Sequence, residues 1–107
     1  MTVAESFEVM PAVFNSAAAA GMTKTLQWNI TGEEAGVWAF QIVNGEGKMI
    51  PGGVEKPEVT FTVSDKDWLS ITEGKLDAMN AFMTGKLKIV GDMILAMKVP
   101  NLFPTQR

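Results

Sequence analysis

The chain has 107 residues, 9 Lys plus Arg against 12 Asp plus Glu for a net charge of −3, and 47% apolar against 20% charged residues. That balance excludes wholesale disorder, and the length leaves room for one hydrophobic core, so residues 1–107 are expected to form a single domain. No dense Lys/Arg cluster is present to neutralise phosphates, which excludes nucleic acid as the expected partner.

Taken in chain order, residues 3–20 read as a helix, because Val3, Phe7, Met10, Phe14 and Ala17 recur at steps of three and four and share one face. Gly21 suits its C-terminal cap, and Pro11 predicts either a kink or a fresh first turn. From Thr23 the period falls to two: Leu26, Trp28 and Ile30 alternate with polar residues, the pattern of a half-buried strand. After Gly32-Glu-Glu-Ala-Gly36 a second strand sets Trp38, Phe40 and Ile42 on one face and ends at Asn44-Gly45, a hairpin signal because both turn positions need positive φ. A third strand at Lys48–Ile50 is closed by Pro51-Gly52-Gly53, and a fourth at Val59–Val63 aligns Val59, Phe61 and Val63. These four strands are expected to form an antiparallel meander.

Ser64 with Asp67 three positions on predicts a cap for a helix through Trp68, Leu69 and Ile71 to about Thr72, stopped by Gly74. Asp77 caps a short helix, Ala78–Thr84, which ends at Gly85. A fifth strand, Leu87–Val90, turns at Gly91-Asp92 into a last helix, Met93–Lys98, which Pro100 is expected to interrupt, leaving Leu102 and Phe103 as an apolar tail. The fold class is therefore α+β, a mostly antiparallel sheet with helices over one face.

Catalytic chemistry finds little to work with. The chain has no histidine, cysteine or tyrosine, which removes the commonest general base, the thiol nucleophile, disulfides and sulfur-type zinc sites together. Asp65 and Asp67 stand together, but at a helix start, where capping and the macrodipole favour negative charge. Gly45-Glu-Gly47 lacks the strand-to-helix setting of a phosphate loop, and Glu33 and Glu34 sit in a hairpin turn. No catalytic residue, metal ligand or cofactor is therefore expected. The N-terminus Met1-Thr-Val-Ala-Glu5 lacks the features of a secretory signal, and no apolar run is long enough to span a bilayer.

The specific signal lies between Thr60 and Leu102. Thr60-Phe-Thr-Val-Ser-Asp-Lys-Asp-Trp-Leu69, Glu73-Gly-Lys-Leu76, Asn80-Ala-Phe-Met-Thr-Gly-Lys-Leu-Lys-Ile89, Gly91-Asp-Met93 and Leu95-Ala-Met-Lys98 together resemble the sterol carrier protein type 2 family of nonspecific lipid-transfer domains. Trp38 with Asn44-Gly-Glu-Gly-Lys48 is similar to that family's second strand and hairpin. The resemblance implies a five-stranded sheet covered on one face by N-terminal, middle and C-terminal helices, enclosing an apolar tunnel for a fatty acid, acyl-CoA, phospholipid or sterol-like lipid, with no cofactor or metal. Its implied lipid-binding residues here are Trp38, Phe40, Ile42, Phe61, Phe82, Met83, Ile89, Met93, Met97 and Phe103.

Two departures matter. Mammalian relatives carry Leu-Gln-Asn-Leu where this chain has Val99-Pro-Asn-Leu102, which removes a polar handle. The chain also ends in Thr105-Gln-Arg107 rather than a Ser-Lys-Leu type address, so a cytoplasmic location is expected.

An empty pocket at the lower bound of ligand sites, ~300 Å³, would cost ~7 kcal/mol, close to the whole stability of a domain. The resemblance therefore implies a ligand-filled or collapsible pocket, with Met93–Phe103 as its mobile lid, Met83, Met93 and Met97 at the entrance and Trp38 and Phe40 as the floor. On that placement Met97→Lys and Phe40→Lys are each expected to abolish lipid uptake. The expected partners are an apolar small molecule and, transiently, a membrane, with the chain a monomer or weak homodimer. The alternative from another class is a non-catalytic accessory or dimerisation module that presents an isoprenoid or quinone intermediate to partner enzymes.

Overall fold

A computed structural model describes residues 1–104; the C-terminal Thr105-Gln-Arg107, on which the expected location partly rests, lies outside the described residues. The elements are α1 (Val3–Val13), β1 (Lys24–Thr31), β2 (Gly36–Val43), β3 (Glu46–Pro51), β4 (Val59–Ser64), α2 (Asp65–Thr72), α3 (Ala78–Met83), β5 (Leu87–Gly91) and α4 (Met93–Leu102). The strands form one five-stranded sheet in the order β3-β2-β1-β4-β5.

Three pairings are antiparallel, and β1 with β4 is parallel, Leu26 opposite Val59 and Trp28 opposite Phe61. The sheet is thus mixed, which corrects the expected four-strand meander. The reason lies in burial. Residues 46–48 of β3 are exposed, as suits an edge, whereas Val59, Phe61 and Val63 are buried and need a central position. The left-handed Gly52 and Gly53 (φ 92° and 84°) turn the chain back across the sheet, and the Gln27 side chain accepts from Val54 N at 2.7 Å on the way. The Asn44-Gly45 hairpin takes the expected positive φ at both positions, 52° and 85°.

The first helix stops at Val13, not at residue 20. It opens on a full capping box, Glu5 N donating to Thr2 Oγ1 and Thr2 N to Glu5 Oε1. Pro11 near its end brings no N–H back to the carbonyl of Phe7, so the last turn is weak. Phe14 then goes extended and packs its ring on Phe40 and Phe103, at 4.8 and 5.5 Å between centroids. Asn15 N donates to Leu102 O, and the chain continues through turns to a left-handed Gly21.

The last helix shows the opposite departure, running through Pro100 to Leu102. Pro100 sits in the final turn, where one missing donor is cheap, and burial of Leu102 and Phe103 rewards continuing. Those two residues are core rather than a tail.

Caps on the other helices are as expected: Ser64 accepts from Asp67 N, Asp77 from Asn80 N, and Asp92 from Leu95 N. Asp65 does more than begin α2. Its buried carboxylate accepts from Glu34 N at 3.0 Å and Lys66 N at 2.7 Å, fastening the β1–β2 turn to α2. Gly32 permits that approach, since with φ 105° a Cβ there would meet Asp65 Oδ1 at 2.6 Å. Glu34 in turn accepts from Val3 N at 2.9 Å, so the same turn holds the start of α1.

The helices cover the sheet face that carries Trp28, Trp38, Phe40 and Phe61. Phe7 from α1 stacks between Trp38 and Trp68, at 4.6 and 4.8 Å and within 11° of parallel on both sides. Among the described residues no helix is long and apolar enough to cross a membrane.

Candidate functional site

The helices do not fill the space above the sheet. Between them and the sheet lies a cavity of about 970 Å³. Its floor is Trp28, Phe61, Leu87 and Ile89 from β1, β4 and β5. One wall is Met10 and Val13 of α1 with Trp68 and Ile71 of α2, and the facing wall is Ala96, Val99 and Phe103 of α4 and its end. Met79 and Phe82 of α3 and Met93 and Met97 of α4 line it while remaining exposed, so they form an apolar rim open to water.

This geometry follows from the local sequence. The period-two strands put large side chains on one face, but α3 is a six-residue helix and its only buried residue is Ala81, so it reaches over β5 without filling the gap. Kept rigid and dry, a void this large would cost roughly 20 kcal/mol, more than the ~5–15 kcal/mol that holds a domain together. Water or a guest must therefore occupy it, and releasing water from these walls is the driving force for an apolar guest.

Six of the ten residues singled out from the sequence line this cavity: Phe61, Phe82, Ile89, Met93, Met97 and Phe103. Four do not. Trp38 is stacked on Phe7, Phe40 is fully buried against Phe14 and Phe103, Ile42 is fully buried, and Met83 points to solvent with 74% of its surface exposed. The floor is Trp28 and Phe61 in place of Trp38 and Phe40. Phe40→Lys would accordingly bury an unpaired charge in the core and unfold the chain, rather than report on uptake. Sequence reasoning passed over Met10, Trp28, Trp68, Met79 and Ala96; Met10 was already marked by its helical face and Trp28 by alternation, but neither pattern tells a cavity wall from a packed one.

Polar groups on the walls are few. Ser6 Oγ, buried at 4% exposure, donates to Val3 O at 2.6 Å and accepts from Trp68 Nε1 at 2.8 Å. The Thr72 hydroxyl donates to Leu69 O at 2.8 Å. Glu73 and Asp77 stand where the α2–α3 connection borders the cavity, Glu73 paired with the exposed Lys75 at 3.2 Å.

Three carboxyls are held below their usual values, each outside the cavity. Glu5 is lowered by the Thr2 backbone and hydroxyl, Asp65 chiefly by the Glu34 N–H, and Asp92 chiefly by the Leu95 N–H with help from Lys24. All three are capping or fastening groups. Among the described residues no cluster of three or more His, Cys, Asp or Glu could hold a metal ion.

Comparison with known proteins agrees with the fold. The model of the SCP-2 sterol transfer family matches residues 12–104. Human sterol carrier protein 2 is 44% identical over 71 residues, 66% of this chain and 13% of that protein. Peroxisomal multifunctional enzyme A of Dictyostelium discoideum is 49% identical over 72 residues, 66% of this chain and 16% of that protein. The chain thus spans less than a fifth of the length of either relative. Among solved structures, the sterol carrier protein domain 2 of Helicoverpa armigera superposes with a TM-score of 0.77 at 31% identity, covering 92% of this chain and 82% of that one.

Proposed function

The chain belongs to the SCP-2 sterol transfer family, and from that premise we propose that it takes an apolar ligand into the cavity between sheet and helices and carries it chemically unchanged. The single observation that supports this reading is the apolar cavity of about 970 Å³, within the size range of small-molecule sites. A fatty acid, acyl-CoA, phospholipid or sterol-like lipid has the chemistry to fill it. Affinity comes from removing apolar surface from water, ~25 cal/mol per Å², which is non-directional and favours broad selectivity.

The route of loading is transient contact with a membrane at the rim. Met79, Phe82, Met93 and Met97 there, with Ile94 beside them, are exposed apolar side chains, and Lys98 lies on the same helix to meet anionic headgroups. The cytoplasm is the compartment this reading assigns to it, as one domain working as a monomer or weak homodimer.

A second reading is favoured by the Dictyostelium relative, a multifunctional enzyme of which this chain matches only 16%. On it the chain is a non-catalytic accessory or dimerisation module presenting an isoprenoid or quinone intermediate to enzymes, with Val37 and Val43 on the outer sheet face as contact residues. A mass that grows with concentration in sedimentation would favour this reading over carriage by a monomer.

The test is a titration with Nile red, an uncharged fluorescent probe, on the wild type and on Ala96→Phe. Ala96 lines the cavity with no side chain beyond Cβ, so a phenyl ring there occupies the space a guest needs. Carriage predicts saturable one-to-one binding, weakened about tenfold, or ~1.4 kcal/mol, in the folded variant. Equal binding by both proteins would remove the cavity as the site.

A further inference from the structure

Resting on the carrier reading, we propose that the cavity selects its guest by head group, preferring an uncharged head that donates a hydrogen bond, that of a long-chain alcohol, to the carboxylate of the same chain length. The preference follows from what the walls have left to offer. A serine hydroxyl has one donor and two acceptor sites. Ser6 gives its donor to Val3 O and one acceptor site to Trp68 Nε1, which leaves one lone pair for a guest. The same bond engages the Trp68 N–H, and the Thr72 hydroxyl is engaged by Leu69 O.

Charge points the same way. Among the described residues that line the cavity the charged side chains are Glu73 and Asp77, both carboxylates, with no lysine or arginine; the one cation on a lining residue is the α-ammonium of Met1, which is exposed and near enough to the Glu5 carboxylate to help lower its pKa. Lys75 is close in sequence, but its ammonium is turned to Glu73 and stands in water. A guest entering head first brings its head to the Ser6 lone pair in a buried setting. One entering tail first leaves its head at the rim, where Asp77, the N-cap of α3, lines the cavity two residues before Met79, with Glu73 on the connection that precedes it. In either orientation an alcohol finds an acceptor, whereas a carboxylate finds an acceptor or a like charge, which is costly away from bulk water.

Displacement of Nile red from the whole chain at neutral pH, below micelle formation, by hexadecan-1-ol, hexadecanoate and methyl hexadecanoate tests this. The alcohol leaves water more easily than the carboxylate whatever the host, so the deciding quantity is how each ratio of affinities changes with substitution. In Glu73→Gln/Asp77→Asn, where Asn keeps the α3 cap, the alcohol-to-carboxylate ratio is expected to fall about tenfold through stronger hexadecanoate binding. In Ser6→Ala the alcohol-to-ester ratio is expected to fall about threefold. Ratios unchanged in both folded variants overturn the proposal and leave the carrier reading standing, as with a guest whose head stays in water at the α3–α4 rim. Absence of saturable Nile red binding by the wild type instead overturns the carrier reading, and this inference with it.

Discussion

The two ends of the layer between sheet and helices have similar apolar content and opposite packing. Towards β2, aromatic rings close the space: Phe7 is clasped between Trp38 and Trp68, and Phe14, Phe40 and Phe103 meet within 5.5 Å of one another. Towards β5, Met79, Met93 and Met97 stand around an open cavity. Rigid rings with two torsions make a wall that holds its shape, while unbranched thioethers can follow the outline of a guest. The closed end carries the stability that permits the open end.

The largest way to break that contrast is Phe7→Ala. It removes a buried ring stacked on both faces and is expected to cost about 3–5 kcal/mol in urea unfolding. If Phe7→Ala were tolerated within 1 kcal/mol, the closed end would not be the source of stability.

Next is acid. The folded-state pKa of Asp65 lies below its ordinary value because the Glu34 N–H stabilises the carboxylate. Its contribution is therefore fully present above the unfolded value and is lost as pH falls through the folded one. Stability measured from neutral pH downward is expected to decline in the acid range, and Asp65→Asn to be less stable at neutral pH with a shallower decline. A parallel pair of curves would detach the turn fastening from this carboxylate.

The smallest effect sharpens the contrast from the open side. Met83 and Met97 are exposed at 74% and 70%. Replacing either with Ser is expected to shift stability by less than about 0.5 kcal/mol. The difference between them lies in binding: Met97→Ser, on the cavity, weakens Nile red binding, and Met83→Ser, outside it, leaves the titration unchanged.

Much of this fold is legible in the sequence, because its signals are local. Alternation at Leu26, Trp28 and Ile30 and at Val59, Phe61 and Val63 marks strands, Asn44-Gly45 marks the hairpin, and Ser64, Asp77 and Asp92 mark helix starts. What escapes is set by partners far along the chain. The parallel pairing of β4 with β1 depends on which strands need burial on both flanks, and the end of α1 depends on the Phe14 ring finding Phe40 and Phe103. Pro100 reads as a stop until the burial of Leu102 is known.

The cavity is the sharpest case. Trp28 and Trp38 face each other across β1 and β2 on the same sheet face, and periodicity treats them alike. Phe7 stacks on Trp38, while Trp28, although it too touches Phe7, is left as a cavity wall. Six of the ten residues inferred from the sequence lie on the cavity because family resemblance identifies the right layer, while helix coverage decides which part of it stays open.

The methionines allow a direct test without substitution, since of the eight in the chain some line the cavity and others lie away from it. With methyl-labelled methionine and an apolar guest such as hexadecan-1-ol added stepwise, the two-dimensional NMR spectrum should move the methyls of Met1, Met10, Met79, Met93 and Met97, all on the cavity, and leave Met22, Met49 and Met83 in place. Shifts centred on Met22 and Met49, or no saturable shift at all, would contradict a binding site between the sheet and its helices.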